Sequence, residues 1–215
     1  MFQKNLIKSP TIKEVGYHKL DYLLKKKIKK KNNLEHVLIA PTGINGFTKL
    51  SMCKDLKVII KMIFTRTKYK VILRPHPRDR NNKIYKQINF KFKNNGRYEY
   101  DTSANYYKTY IKSKFMITDI SGTAYTYSFL TLSPVIFYSM SEKRVKKYNY
   151  SDLKFFKDRN KIGTIVKSHT KLISQVTLLE KKYLNFRKSS LILRKKLKYL
   201  NKSKYIIKEI VNNVI

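Results

Sequence analysis

The sequence predicts an α/β domain built on a parallel sheet with helices on both faces. Three observations predict it. Short apolar runs recur along the chain, at 36–40, 70–73, 115–118 and 134–138. Stretches with helical spacing separate several of them. Most of these runs stop at a loop of Pro, Gly, Ser or Thr. Strands buried on both faces read as unbroken apolar runs, and parallel strands need a helix to carry the chain back.

Taken in order, Tyr22 to Lys31 is a Leu/Lys-rich stretch with helical character that ends in a basic run. His36-Val37-Leu38-Ile39-Ala40 is the first buried strand, closed by Pro41-Thr42-Gly43. Lys49 to Phe64 carries Leu50, Cys53, Leu56, Ile60 and Ile63 on one helical face. Lys70 to Leu73 is the second strand, stopped by Arg74-Pro75-His76-Pro77, because neither strand nor helix runs through two prolines. Residues 81–96 are polar and favour no element, and Arg97 to Tyr100 reads as a short strand. Asp101-Thr102-Ser103 is placed to cap a helix over Tyr106 to Lys112. Phe115 to Thr118 is the next strand, Asp119 to Thr123 a turn, Ala124 to Leu130 a helix and Pro134 to Tyr138 a strand. From Lys171 the chain reads as helical to its end, with a break near Asn201.

A length of 215 residues suits one such domain with a helical extension. The expected division is an N-terminal segment over 1–15, a Rossmann-like α/β domain over 16–170 and a helical segment over 171–215 that packs on it. With 17 Tyr and 11 Phe the chain has ample material for a core.

Charge is the most unusual feature. There are 49 basic and 13 acidic residues, a formal net charge of +36. Such a field attracts phosphorylated substrates, anionic lipid or nucleic acid. Of the 49, 40 are Lys and 9 are Arg. Arg forks are the usual readers of base edges, so nucleic acid is the weakest of these partners. A compositional bias toward Lys accounts for the charge equally well. The single cysteine, Cys53, rules out an intrachain disulfide and a Cys-rich metal site. No apolar run has the length of a membrane span, and Met1-Phe2-Gln3-Lys4 opens no signal-peptide core. The expected location is the cytoplasm, with an anionic membrane face as a candidate peripheral partner.

In a parallel sheet, ligands bind beyond the carboxyl ends of the strands. Three polar loops are placed there. The first holds Thr42. The second is Arg74-Pro75-His76-Pro77-Arg78, where a stiff loop presents an imidazole between two guanidinium groups. His76 there either binds or protonates a phosphate oxygen, or simply stabilises the turn. The third is Asp119-Ile120-Ser121-Gly122-Thr123, at the start of a helix. Backbone N–H groups at a helix start hold phosphate well, and Gly122 allows close approach. The plainer alternative is an N-cap by Ser121 or Asp119. His18, His36 and His169 have no metal-like spacing, and no Walker loop, G-x-G-x-x-G or Ser-His-Asp order occurs. Neither a metal nor a cofactor is expected.

Together these segments resemble the C-terminal domain of the CDP-glycerol glycerophosphotransferase family, which builds teichoic-acid-like and capsular polymers. Five pieces occur in family order: Gly16 to Asp21, Val37 to Thr42, Val71 to Pro77, Ile117 to Gly122 and Leu132 to Tyr138. The resemblance spans 15–166, with a weaker echo at 200–214. It implies the C-terminal half of a GT-B fold, with 16–170 as its nucleotide-binding domain and 1–15 as a junction segment. It also implies that His76 is the catalytic histidine of the phosphate site, that Ser121, Gly122 and Thr123 hold the diphosphate, and that Asp119 braces their loop. Arg74, Arg78, Thr42 and Thr126 complete the expected substrate site. Thr126 stands where the family carries an acidic residue, and Gly43 where it carries Trp. The implied reaction is transfer of glycerol phosphate from CDP-glycerol, or a related nucleotide-linked donor, to a polymer or lipid-linked acceptor. The acceptor domain is expected on a separate chain or a missing part. A GT-B glycosyltransferase using a nucleotide sugar, and a non-catalytic basic subunit that binds nucleotide or anionic polymer, are the alternatives.

Overall fold

The structure is a computed structural model that describes residues 17–26, 34–44, 50–139, 142–147 and 154–196. Six parallel strands form its sheet: β1 His36–Ile39, β2 Lys70–Leu73, β3 Tyr98–Tyr100, β4 Ser113–Thr118, β5 Val135–Tyr138 and β6 Gly163–Val166. The helices are α1 His18–Lys25, α2 Leu56–Arg66, α3 Lys83–Phe92, α4 Tyr107–Lys112, α5 Thr123–Thr131, α6 Glu142–Lys147, α7 Lys154–Lys157, α8 Arg159–Ile162, α9 His169–Lys181 and α10 Tyr183–Lys196.

The strand order is β3-β2-β1-β4-β5-β6. The chain moves outward from β1 in one direction, then returns to start again beside it at β4. Leu38 pairs with Ile72 on one side and with Met116 on the other. This is the doubly wound order, and the reversal between β1 and β4 opens a crevice at the strands' carboxyl ends.

Two apolar layers hold the sheet. On one face Leu56, Ile59, Ile60 and Ile63 of α2, Tyr85 and Ile88 of α3, and Leu172 and Val176 of α9 pack on Val37, Ile39, Val71 and Leu73. On the other, Leu20 of α1, Tyr110 of α4, Tyr127 and Phe129 of α5 and Leu193 of α10 pack on Leu38, Ile72 and Met116. Each such aliphatic side chain contributes about 1.5–3 kcal/mol by leaving water. β6 lies so close to β5 that a Cβ on Gly163 would fall 1.8 Å from the Val135 carbonyl oxygen.

The apolar runs at β1, β2, β4 and β5 form the strands expected of them. Four expectations are corrected. The stretch expected as a helix from Lys49 begins instead with a 3-10 turn, Met52–Asp55, capped by the Ser51 side chain, before α2 starts at Leu56. The polar stretch 81–96 contains α3, whose Asn82 side chain accepts the Ile84 N–H. Asp101 does not cap α4; the Asn105 side chain accepts the Tyr107 N–H, and Asp101 is taken up elsewhere. The helical tail is preceded by a sixth strand, and α9 starts at His169 rather than Lys171. A turn at Lys182 separates α9, on one face of the sheet, from α10, which packs against that same layer at Phe186 and against the opposite one at Leu193. The junction segment 1–15, the basic run after Lys26 and the break near Asn201 lie outside the described residues.

Candidate active site

The loops after β1, β2 and β4 meet above the crevice because their strands are neighbours. Two buried carboxylates tie them together. Asp119, fully buried at the end of β4, accepts the Thr42 N–H at Oδ1 (2.9 Å) and the Met52 N–H at Oδ2 (2.9 Å). Asp79, in the loop after β2, accepts the Ile44 N–H at Oδ2 (2.7 Å). The β1 loop is thus held from both sides, by one residue from β4's loop and one from β2's. Burial pushes the Asp119 carboxyl up to about 6, against the pull of the backbone N–H donors around it.

His76 lies against the middle of that loop. An added Cβ on Gly43 would sit 3.4 Å from His76 Cγ and Nδ1. His76 Nδ1 accepts the Arg78 N–H (3.3 Å) and caps the short 3-10 turn Pro77–Asp79. The turn-stabilising role is therefore real, and it does not exclude chemistry. With Nδ1 accepting, a neutral ring carries its proton on Nε2, which makes that nitrogen a donor to a phosphate oxygen.

The two arginines beside His76 differ. Arg78 is exposed. Arg74 is buried, and its guanidinium is engaged internally: Nη1 pairs with Asp101 Oδ2 (2.5 Å) and Nη2 donates to the Ser103 carbonyl (2.8 Å). Asp101 also accepts from the Thr109 hydroxyl and the Ser103 N–H. Burial raises the Asp101 carboxyl, but the bonds from Thr109, Ser103 and Arg74 outweigh it and hold it below its ordinary value. Arg74 thus joins the loop that carries His76 to the end of β3.

Ser121 and Gly122 lead into α5 with no side-chain cap on the helix. The plain N-cap reading is therefore corrected: Asp119 turns away to Thr42 and Met52, and neither it nor Ser121 caps α5. The first N–H groups of a helix have no partner within it, and the positive end of the helix dipole adds to their pull on an anion. The Thr123 hydroxyl is bonded to the buried Tyr110 phenol. Thr126, one turn on, is buried, and its Oγ1 lies 3.2 Å from the Tyr17 phenol. That contact docks the start of α1 on the back of α5. The structure therefore brings Thr42, His76, Asp119, Ser121 and Gly122 to one crevice, turns Arg74 and Thr126 inward, and adds Asp79 and Asp101, which sequence reasoning missed. Among the described residues no group of His, Cys, Asp or Glu is arranged to hold a metal ion.

The sequence family described as CDP-glycerol:poly(glycerophosphate) glycerophosphotransferase matches residues 2–212. The chain belongs to this family. Among curated proteins, none matches this glycerophosphotransferase-family chain. Among solved structures, a variant of the wall teichoic acid polymerase TagF with CDPG is similar, with a TM-score of 0.55 at 18% identity, over 94% of this chain and 50% of that one. The UDP-GlcNAc 2-epimerase of Methanocaldococcus jannaschii, in complex with UDP-GlcNAc and UDP, gives a TM-score of 0.52 at 20% identity, over 86% of this chain and 54% of that one. TarM gives 0.50 at 11% identity, over 86% and 37%. At these identities the likeness is one of fold, of the GT-B type. This family member spans about half the length of the TagF structure. No helix among its described residues is long and apolar enough to cross a membrane.

Proposed function

We propose that this chain forms the donor-binding half of a transferase that takes CDP-glycerol and passes glycerol phosphate to a cell-surface polymer or a lipid-linked acceptor. The observation that carries the reading is the tie between Asp119 and Thr42. It fixes the N-terminus of α5 beside the loop on which His76 rests, so a diphosphate held by the helix lies within reach of an imidazole donor. Family membership supports a nucleotide-linked glycerol phosphate as the donor.

In this reading Ser121, Gly122 and Thr123 hold the diphosphate through backbone N–H groups, with Thr42 at the crevice rim. The acceptor hydroxyl attacks the β-phosphorus; the bond to the bridging oxygen breaks and CMP leaves. His76 donates its Nε2 proton to the phosphate oxygens as charge develops, and exposed Arg78 adds positive potential. Arg74 acts at one remove, by holding the His76 loop. The acceptor site and the base that activates its hydroxyl belong to a part outside these residues, on the same or another chain. The reaction would take place at the cytoplasmic face of the membrane.

Calorimetric titration tests the donor. CDP-glycerol is expected to bind, and Gly122→Val to weaken it by at least about 10-fold by blocking close approach. Unchanged affinity in that variant overturns the phosphate-loop assignment. A UDP-sugar that binds better than CDP-glycerol favours a nucleotide-sugar GT-B enzyme, the second reading, which the fold shared with the UDP-GlcNAc epimerase supports.

A further inference from the structure

The exposed sides of α2 and α3 are basic. Neither helix contains an acidic residue. Lys57 and Lys61 on α2, and Lys83, Lys86 and Lys91 on α3, are all exposed. Among the described residues none of them forms an ion pair with a carboxylate. The acids that precede each helix in sequence are committed: Asp55 faces His169 (3.3 Å) and Asp79 is buried. Lys57, with Lys61 behind it, crowds Lys91 closely enough to hold its ammonium below the ordinary lysine value. Repulsion of this kind is relieved when an anionic surface arrives.

The same two helices expose apolar side chains. Phe90 is 75% exposed and Val58 45% exposed, the first with the Lys93 ammonium 5.0 Å from its ring centre. An aromatic ring set among lysines is the pattern of a helix that lies in a lipid headgroup layer, with the ring in the acyl boundary and the ammonium groups among the phosphates. A soluble polyanion would match the lysines and leave Phe90 in water.

We propose that the α2–α3 face docks on an anionic lipid bilayer, with Phe90 entering the interface and Lys57, Lys61 and Lys91 meeting lipid phosphates. The inference does not rest on the transfer reaction or on the identity of the donor.

The chain has no tryptophan, so Phe90→Trp introduces a single fluorescent reporter. The full chain is mixed with vesicles of phosphatidylglycerol and phosphatidylcholine, with vesicles of phosphatidylcholine alone, and with soluble polyphosphate. Co-sedimentation with the anionic vesicles only, and a blue shift of the reporter there but not with polyphosphate, are the expected results. The triple variant Lys57→Gln, Lys61→Gln, Lys91→Gln is expected to lose on the order of 100-fold in partitioning, since each lysine near such a surface is worth roughly fivefold. A control triple on other elements, Lys108→Gln, Lys157→Gln, Lys188→Gln, lowers the charge equally and is expected to lose far less. Circular dichroism checks that both triples fold. Equal loss in the two triples, polyphosphate binding without a reporter shift on vesicles, or no sedimentation with anionic vesicles would each overturn the proposal.

Discussion

Asp119 just after β4 takes the N–H of Thr42, in the loop after β1, across the point where the strand order reverses. Its other oxygen takes the N–H of Met52. Both oxygens therefore face donors, which a carboxyl group can accept with either oxygen and an amide with only one.

Asp119→Asn changes almost no volume, yet it turns an amide NH2 toward one of these N–H groups. One buried donor is left without an acceptor, at a cost of about 1–3 kcal/mol. The variant also changes the pH response. The native carboxyl titrates at about 6, above its ordinary value of 3.8, so between these values the folded protein binds more protons than the unfolded one. This group's contribution is thus fully present below about pH 3.8 and lost as pH rises to about 6. The difference in stability between wild type and Asp119→Asn, from denaturant titrations at pH 4 and pH 7, is expected to be larger at pH 4. A difference independent of pH would contradict it.

Two substitutions separate the two roles of His76. His76→Asn keeps a side-chain acceptor for the Arg78 N–H and removes the transferable proton; His76→Ala removes both. In an enzyme complete with its acceptor part, both are expected to lower turnover by roughly 100-fold or more. Thermal melts are expected to show the Asn variant closer to wild type. Near-normal turnover in His76→Asn would leave His76 with the turn alone.

Asp101→Ala strands the Arg74 guanidinium, which is buried and paired with it at 2.5 Å. Removing one partner of a buried pair costs about 3–5 kcal/mol. A denaturant midpoint shift without change in slope is expected. Its size at neutral pH measures the pair, and a loss below about 1 kcal/mol would show that Arg74 finds another partner.

Gly163→Ala is a backbone test. The new methyl would meet the Val135 carbonyl oxygen at 1.8 Å, so the β5–β6 pairing has to open. A loss of about 3 kcal/mol is expected, at the upper end of the range for overpacking, because backbone rather than a flexible side chain must give way. Amide exchange that accelerates first in Val135–Tyr138 and Gly163–Val166 would locate the damage.

Much of this architecture is legible in the sequence because parallel strands buried on both sides leave a plain trace. Val37-Leu38-Ile39 and Val71-Ile72-Leu73 are unbroken apolar triplets, each with a proline two residues beyond its end. β6 escapes because only Ile165 and Val166 of its four residues are apolar, and Thr164 and Ile165 are only half-buried. α3 escapes because Lys and Asn crowd the positions between Ile84, Tyr85, Ile88 and Phe92. In the site, His76 and Ser121 are visible as polar residues at strand ends. Asp79 and Asp101 are not, since what they hold, Ile44 and Arg74, lies 35 and 27 residues away. Nor does the sequence reveal that Arg74 is spent on Asp101 rather than left facing a substrate.

The contact between Thr42 and Asp119 spans 77 residues. Every strand pair in the sheet is parallel, so none forms by a local hairpin. A chain leaving the ribosome can assemble β1, β2 and β3 in turn, yet the central β1–β4 pair must wait until β4 has emerged. Until then, the β1 edge that will receive β4 is bare and prone to pairing with the wrong strand. The crevice comes into being only when that pair closes, so a nascent chain that stops before β4 has the imidazole loop and no place for a donor.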